Sequence, residues 1–219
     1  MIRFIFIFFF LFFFNLQNLF AVEKCKGNYD QYNWSDCWGK HTVQSDRGKK
    51  SSYEGQWKGG KPHGSGTFIF EDGSRYSGQI ENGSFNGSGT IKFTDGAIYS
   101  GKWKNNFREG FGTFTFPDKT RYEGEWKNNV MDGRGILLFT NGEKYQGDFI
   151  DGRYNGFGVY YYKNGHRFFG KFKKGKEING LYVSKKYAEF FQNYQQSSNR
   201  LSKSVHTVLP NLKKTFEEL

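Results

Sequence analysis

The residues best suited to catalysis or metal binding in this 219-residue chain are four histidines and two cysteines. His41, His63, His166 and His206 are scattered, with no spacing that would place two of them on one metal ion. No H-E-x-x-H, nucleophile-elbow or phosphate-loop signature occurs. Gly-x-Gly pairs recur, but they precede predicted strands instead of opening helices, so they do not form a phosphate cradle. Asp72, Asp95 and Asp151 sit where turns are predicted, and turn chemistry accounts for them. The sequence therefore offers no catalytic residue, no metal site, no cofactor and no small-molecule substrate. Cys25 and Cys37 are predicted to form a disulfide, worth about 3 kcal/mol in an oxidising compartment. A redox or metal role would need further ligands nearby, and none is present.

The predicted disulfide agrees with the start of the chain. Arg3 precedes an unbroken apolar run over Phe4–Phe14, and the more polar Asn15–Asn18 leads to Leu19-Phe20-Ala21. That order reads as a secretory signal peptide cleaved after Ala21, with a retained anchor as the alternative. The run is too short for a membrane-spanning helix. The expected location is periplasmic, extracellular or envelope-associated. Asn33, Asn82 and Asn86 fit the N-x-[ST] glycosylation pattern, which has meaning only in a eukaryotic secretory route.

One period organises the elements that must position any site. Tyr53, Tyr76, Tyr99, Tyr122, Tyr145 and Phe168 are spaced 23 residues apart. Gly55, Gly78, Gly101, Gly124, Gly147 and Gly170 follow two residues later, and Trp57, Ile80, Trp103, Trp126, Phe149 and Phe172 two after those. Gly64-x-Gly66 recurs at 87/89, 110/112, 133/135 and 156/158. Each unit reads as two strands whose aromatic and glycine residues share one face. The strands are joined by turn dipeptides such as Asp72-Gly73, Asn141-Gly142 and Asn82-Gly83, with Asn105-Asn106 and Asn128-Asn129 in equivalent places. Glycine lets a neighbouring ring lie flat on the backbone, so a ladder of rings over glycines stabilises a sheet with no second layer. The composition agrees: 21% aromatic residues and 29 glycines, with only 36% hydrophobic residues, exclude a helical bundle, an aliphatic α/β core and disorder.

The unit Tyr-x-Gly-x-Trp-x-x-Gly-x-x-x-Gly-x-Gly resembles the MORN repeat (membrane occupation and recognition nexus), from Tyr53 to about Gly180. The fold expected is all-β: an elongated, twisted, single-layer antiparallel sheet of tandem β-hairpins, twelve strands in number, with a short C-terminal α-helical segment. Residues 1–21 are the predicted signal and 22–52 a disulfide-pinned N-terminal cap. Residues 53–184 form the repeat array and 185–219 an amphipathic helix. In that helix Tyr187, Phe190, Phe191 and Tyr194 share a stripe that Leu201, Val205, Val208, Leu212 and Phe216 continue, across Pro210. It is expected to dock on the last hairpin, with partner binding or membrane-surface association as the other readings. Departures from the pattern are Ile80 in place of Trp, Lys119 in place of a hairpin glycine, and the decayed Asn179-Gly180-Leu181.

The resemblance implies an interaction module, because in MORN proteins such as plant phosphatidylinositol phosphate kinases and junctophilins the chemistry comes from other domains. The expected function is a non-enzymatic exported scaffold that contacts a protein partner or another copy of itself. Its contact surface is expected on Tyr53, Trp57, Tyr76, Tyr99, Trp103, Tyr122, Trp126 and Tyr145, which alternatively form the core. The net charge of +11 suggests a second role at anionic lipid or envelope polysaccharide. Lys171, Lys173, Lys174, Lys176, Lys185 and Lys186 form the one clear basic cluster. Elsewhere on the polar face the signs alternate, as in Glu54-Gln56-Lys58 and Glu123-Glu125-Lys127, so no nucleic acid partner is expected.

Overall fold

In the computed structural model, residues 22–189 are described. The predicted signal (1–21) and most of the predicted C-terminal helix (190–219) lie outside the described residues. The sheet starts with β1 (Cys37–Gln44), β2 (Lys50–Lys58), β3 (Lys61–Ile69), β4 (Arg75–Glu81) and β5 (Ser84–Lys92). It continues with β6 (Ile98–Lys104), β7 (Phe107–Thr115), β8 (Arg121–Lys127) and β9 (Val130–Leu138). It ends with β10 (Lys144–Ile150), β11 (Arg153–Tyr161), β12 (Arg167–Lys173) and β13 (Lys176–Val183). All thirteen lie in one open sheet in sequence order, each antiparallel to the next. The extra strand over the expected twelve is β1, from the segment read as a cap. It pairs with β2 without a break, from Cys37 opposite Trp57 to Gln44 opposite Lys50.

The two edges of the ribbon carry different turns. Along one edge the side chains of Asp72, Asp95, Asp118, Asn141 and Asn164 each accept a hydrogen bond from the amide two residues on, at 2.8–3.0 Å. The residue between has positive φ, and in repeat three that residue is Lys119, at +74°. Along the other edge both central residues have positive φ, at Asn105-Asn106 and Asn128-Asn129 among others, as hairpins that follow the strand twist require. The second amide of each such turn donates to a carbonyl one repeat back, as Asn129 N does to Arg108 O at 3.1 Å. Successive hairpins are thereby tied at their tips as well as through the strands.

The core is the ring ladder. Tyr99 shows how a unit closes: the strand ladder opens at Lys102, and the Tyr99 hydroxyl donates to the Lys102 carbonyl at 2.8 Å. Tyr53, Tyr76, Tyr122 and Tyr145 repeat this at 2.7–2.9 Å. The ring lies on glycine backbone, and a Cβ added at Gly112 would fall 2.5 Å from the Tyr99 hydroxyl oxygen. Trp103 and Trp126 stand edge-on to Tyr99 at 5.0 and 5.3 Å, so the Tyr99 ring is boxed by the tryptophans of its own and the next repeat, while Phe149 and Phe172 flank Tyr145 in the same way. Trp103 Nε1 donates to Gly89 O and Trp126 Nε1 to Gly112 O, at 3.0 and 3.2 Å.

The N-terminal segment closes the first repeat. Cys25 and Cys37 form a disulfide. Trp34 is buried over Gly39 and edge-on to Trp57 at 5.2 Å, and Tyr29 donates to Gly60 O at 3.0 Å. At the other end a helical turn spans residues 185–189, with Ala188 buried and Lys185 lying over the hairpin glycine Gly165.

Candidate interaction surface

The eight rings expected to form the contact surface are core. Tyr53, Trp57, Tyr76, Tyr99, Trp103, Tyr122, Trp126 and Tyr145 are each at most 7% exposed. Each is enclosed by its glycines and by the rings of adjacent repeats, which is why a single-layer sheet can hide them. Burial raises their phenol pKa values: Tyr53 and Tyr99 are pushed up to about 12, and Tyr76, Tyr122 and Tyr145 are also raised.

The open part of the aromatic face belongs to the second strand of each unit and to the turn that follows it. Phe68, Phe70, Phe114, Phe116, Phe139, Tyr160 and Tyr162 are half-buried against the core, with Phe93 more exposed. No second layer of strands lies over them among the described residues. A parallel row lies over the core tyrosines. Phe85 stacks on Tyr76 at 3.6 Å, and Tyr154 stacks on Tyr145 at 3.9 Å. Carboxylates border the C-terminal part: Glu143 accepts from the Tyr160 hydroxyl at 2.7 Å, and Glu177 accepts from Tyr162 and Tyr182. The first of these bonds holds the Glu143 carboxyl below its usual range.

The opposite face carries a feature missed in the sequence. Strand register aligns Ile69, Arg75, Lys92, Ile98, Thr115, Arg121, Leu138, Lys144, Tyr161, Arg167 and Val183 in one row. The row holds five cations and no carboxylate. Its signal was the residue just before the core tyrosines from Tyr76 on, which reads Arg75, Ile98, Arg121, Lys144 and then Arg167 before Phe168. Lys144 Nζ lies 3.8 Å from the centre of the Tyr161 ring, and the Arg167 guanidinium lies 5.1 Å from it. Arg121 also meets Glu123 at 3.1 Å, an exposed pair of small energetic weight. The six lysines of the predicted cluster are all exposed, Lys171, Lys173, Lys174 and Lys176 around the last hairpin and Lys185 and Lys186 on the helical turn. Lys171 Nζ lies 4.9 Å from the Phe157 ring centre.

Among the described residues no group of three or more His, Cys, Asp or Glu is placed to hold a metal ion. What the geometry offers is surface: aromatic and open on one side, basic and apolar on the other.

No curated protein matches the chain at a significant level. Among solved structures, the TCP domain of SAS-4 (dCPAP) from Drosophila melanogaster, in complex with a proline-rich motif of Ana2 (dSTIL), aligns at 13% identity and a TM-score of 0.38. That alignment covers 66% of this chain and 72% of the other. A single-residue variant of the TCP10 domain of Danio rerio CPAP aligns at 12% identity and a TM-score of 0.27, over 65% and 71%. Overlaps of that quality establish no shared fold. The MORN repeat model matches residues 53–75, 76–98, 99–121, 122–144 and 145–167, five tandem units that together fill more than half of the sequence. Each matched unit is one strand pair with its buried ring, its glycines and its two turns, and the chain belongs to the MORN repeat family.

Proposed function

We propose that the protein is a non-enzymatic, exported scaffold that holds a protein partner along the open aromatic face of its ribbon. The observation that carries this reading is the row of half-buried rings, Phe68 to Tyr162, on a sheet with no second layer among the described residues. Contiguous apolar surface of this kind marks interfaces in stable proteins. The disulfide between Cys25 and Cys37 is compatible with an oxidising, exported location. The test is to immobilise the full chain and identify what it retains from a detergent-solubilised envelope extract by mass spectrometry. Phe93→Ser with Phe116→Ser, which trims the open rings and leaves the buried ring ladder in place, should abolish retention while the protein still unfolds cooperatively, at a melting temperature lowered by only a few degrees. Retention that survives this double substitution refutes the aromatic face as the contact surface.

A second reading draws on the basic row Arg75, Lys92, Arg121, Lys144 and Arg167, together with the lysines from Lys171 to Lys186. Cations interleaved with Ile98, Leu138 and Tyr161 suit an anionic lipid surface or an acidic envelope polysaccharide. Arg121→Glu with Lys144→Glu should then remove binding to phosphatidylserine vesicles at low salt. Binding that ignores both salt and this charge reversal refutes the lipid assignment.

A further inference from the structure

One position of the repeat lies on the open face directly opposite the tryptophan position: Pro62, Phe85, Arg108, Met131, Tyr154 and Glu177. Four of these are apolar or aromatic and two are charged, and the charged ones are unusual in how they are held. Arg108 occupies the place where repeats two and five stack a ring on the core tyrosine. Its guanidinium lies 4.5 Å from the Trp126 ring centre, 5.3 Å from Phe114 and 5.7 Å from Tyr99. Asn129 fixes it along one edge: Nη2 donates to the Asn129 carbonyl at 2.8 Å, and Nε to Oδ1 at 3.3 Å. The Arg108 amide donates to the same Oδ1 at 2.8 Å.

None of the three ion pairs among the described residues includes Arg108, and its Nη1 has no partner among them. A guanidinium has five donors, so a half-buried one with one edge bonded and one face on aromatic rings presents a fixed fork to the open side. Holding that charge away from water without a counter-ion is costly unless a ligand supplies one. Glu177 is its opposite. Two phenols orient its carboxylate, and no cation pairs with it among the described residues. Between the two charges, Met131 and Tyr154 keep the row apolar.

We propose that the open face binds an extended peptide with an acidic side chain on Arg108 and a basic side chain on Glu177, its intervening apolar residues lying over Met131 and Tyr154. This rests on the reading of the aromatic face as a protein-binding surface and names the chemistry of the partner. Arg108 is on β7 and Glu177 on β13, six strands apart and so about 29 Å at ~4.8 Å per strand. An extended chain rising ~3.3 Å per residue covers that distance in about nine residues. The partner motif is therefore an acid and a base about nine residues apart with apolar residues between them.

The test uses the full chain against a displayed library of random linear peptides longer than that span. The wild type should enrich peptides with an Asp or Glu at one position and a Lys or Arg about nine residues away. Arg108→Glu should exchange the preferred acid for a base at the same position. Arg108→Met, which installs the residue of repeat four, should weaken a synthetic consensus peptide by about tenfold to a hundredfold while leaving the fold intact. Enriched peptides without the acid, or an unchanged set from Arg108→Glu, overturn the inference while leaving the aromatic face as a binding surface. Enriched peptides that are insensitive to Phe93→Ser with Phe116→Ser overturn that broader reading too, as does a library that yields no binder.

Discussion

Replacing Gly112 with alanine adds one carbon where the fold has no room for it. The new Cβ would lie 2.5 Å from the Tyr99 hydroxyl oxygen and 2.6 and 2.7 Å from two of its ring carbons. The ring cannot slide sideways, because Trp103 and Trp126 stand against its edges at 5.0 and 5.3 Å. It must lift from the sheet and give up its hydrogen bond to the Lys102 carbonyl. Overpacking of this kind costs about 1–3 kcal/mol, and a lost hydrogen bond about 1 kcal/mol more. Removing glycine from a strand returns roughly 0.5–1 kcal/mol, so the net loss is about 1–3.5 kcal/mol. Urea unfolding followed by tryptophan fluorescence gives this value from the midpoint and slope. Gly96→Ala is the control, since its Cβ would meet open space and only the φ of +88° opposes it. The decisive comparison places Gly112→Ala in a Tyr99→Leu background, where the obstructing ring is gone and the cost should fall by at least about 1 kcal/mol. A Gly112→Ala protein within about 0.5 kcal/mol of wild type, or an equal cost in both backgrounds, would refute the ring-on-glycine account.

Other outcomes follow from the same ladder. Lys119 holds φ at +74° where the equivalent turns use glycine, so Lys119→Gly should raise stability by about 1 kcal/mol in thermal unfolding. Phe168 is the one ladder position without a hydroxyl, and beside it the ladder stays paired through Lys171 opposite Asn179, so Phe168→Tyr finds no open carbonyl and should cost about 1–3 kcal/mol by urea midpoint. The phenols of Tyr53 and Tyr99 are raised to about 12 from an unfolded value of about 10. Their protonated state is bound more tightly when folded, so this stabilisation is complete below pH 10 and is lost as pH rises through about 12. Urea midpoints should therefore fall across that window, and tyrosinate absorbance should appear with unfolding; a flat midpoint would contradict the burial of the ring ladder.

Much of this fold was legible because its period is strict. Tyr99, Gly101 and Trp103 alternate with polar residues, and the same alternation 23 residues on fixes strand, face and register together. The role of those rings was harder to read, since sequence shows which face a ring shares and not how much of it glycine and neighbouring repeats conceal. Arg108 was within reach. It lies two residues before Gly110-x-Gly112 and so shares the inward face, yet a charged residue just after a turn reads as solvated. The basic row was missed for a different reason: its cations lie 17, 29, 23 and 23 residues apart in the chain, and only cross-strand pairing places Arg75 beside Lys92. β1 was hidden because Cys37–Gln44 lacks the repeat signature and forms a strand by matching the exposed edge of β2.

The two ends of the sheet are chemically unequal. At β1 the outer edge is obstructed: Cys25 N donates to Trp38 O at 2.8 Å and Trp38 N to Glu23 O at 2.7 Å, with the disulfide holding that strap in place. β13 pairs only with β12 among the described residues, and it leaves Ile178, Leu181 and Tyr182 exposed. An unpaired strand of this kind is a template for another strand. Lys173, Lys174, Lys176, Lys185 and Lys186 surround it, so two such edges meet like charge to like charge, a repulsion that physiological salt screens beyond about 8 Å. With one end blocked by its own strap, any pairing through the β13 edge stops at two ribbons, and a growing fibre has no second end to use.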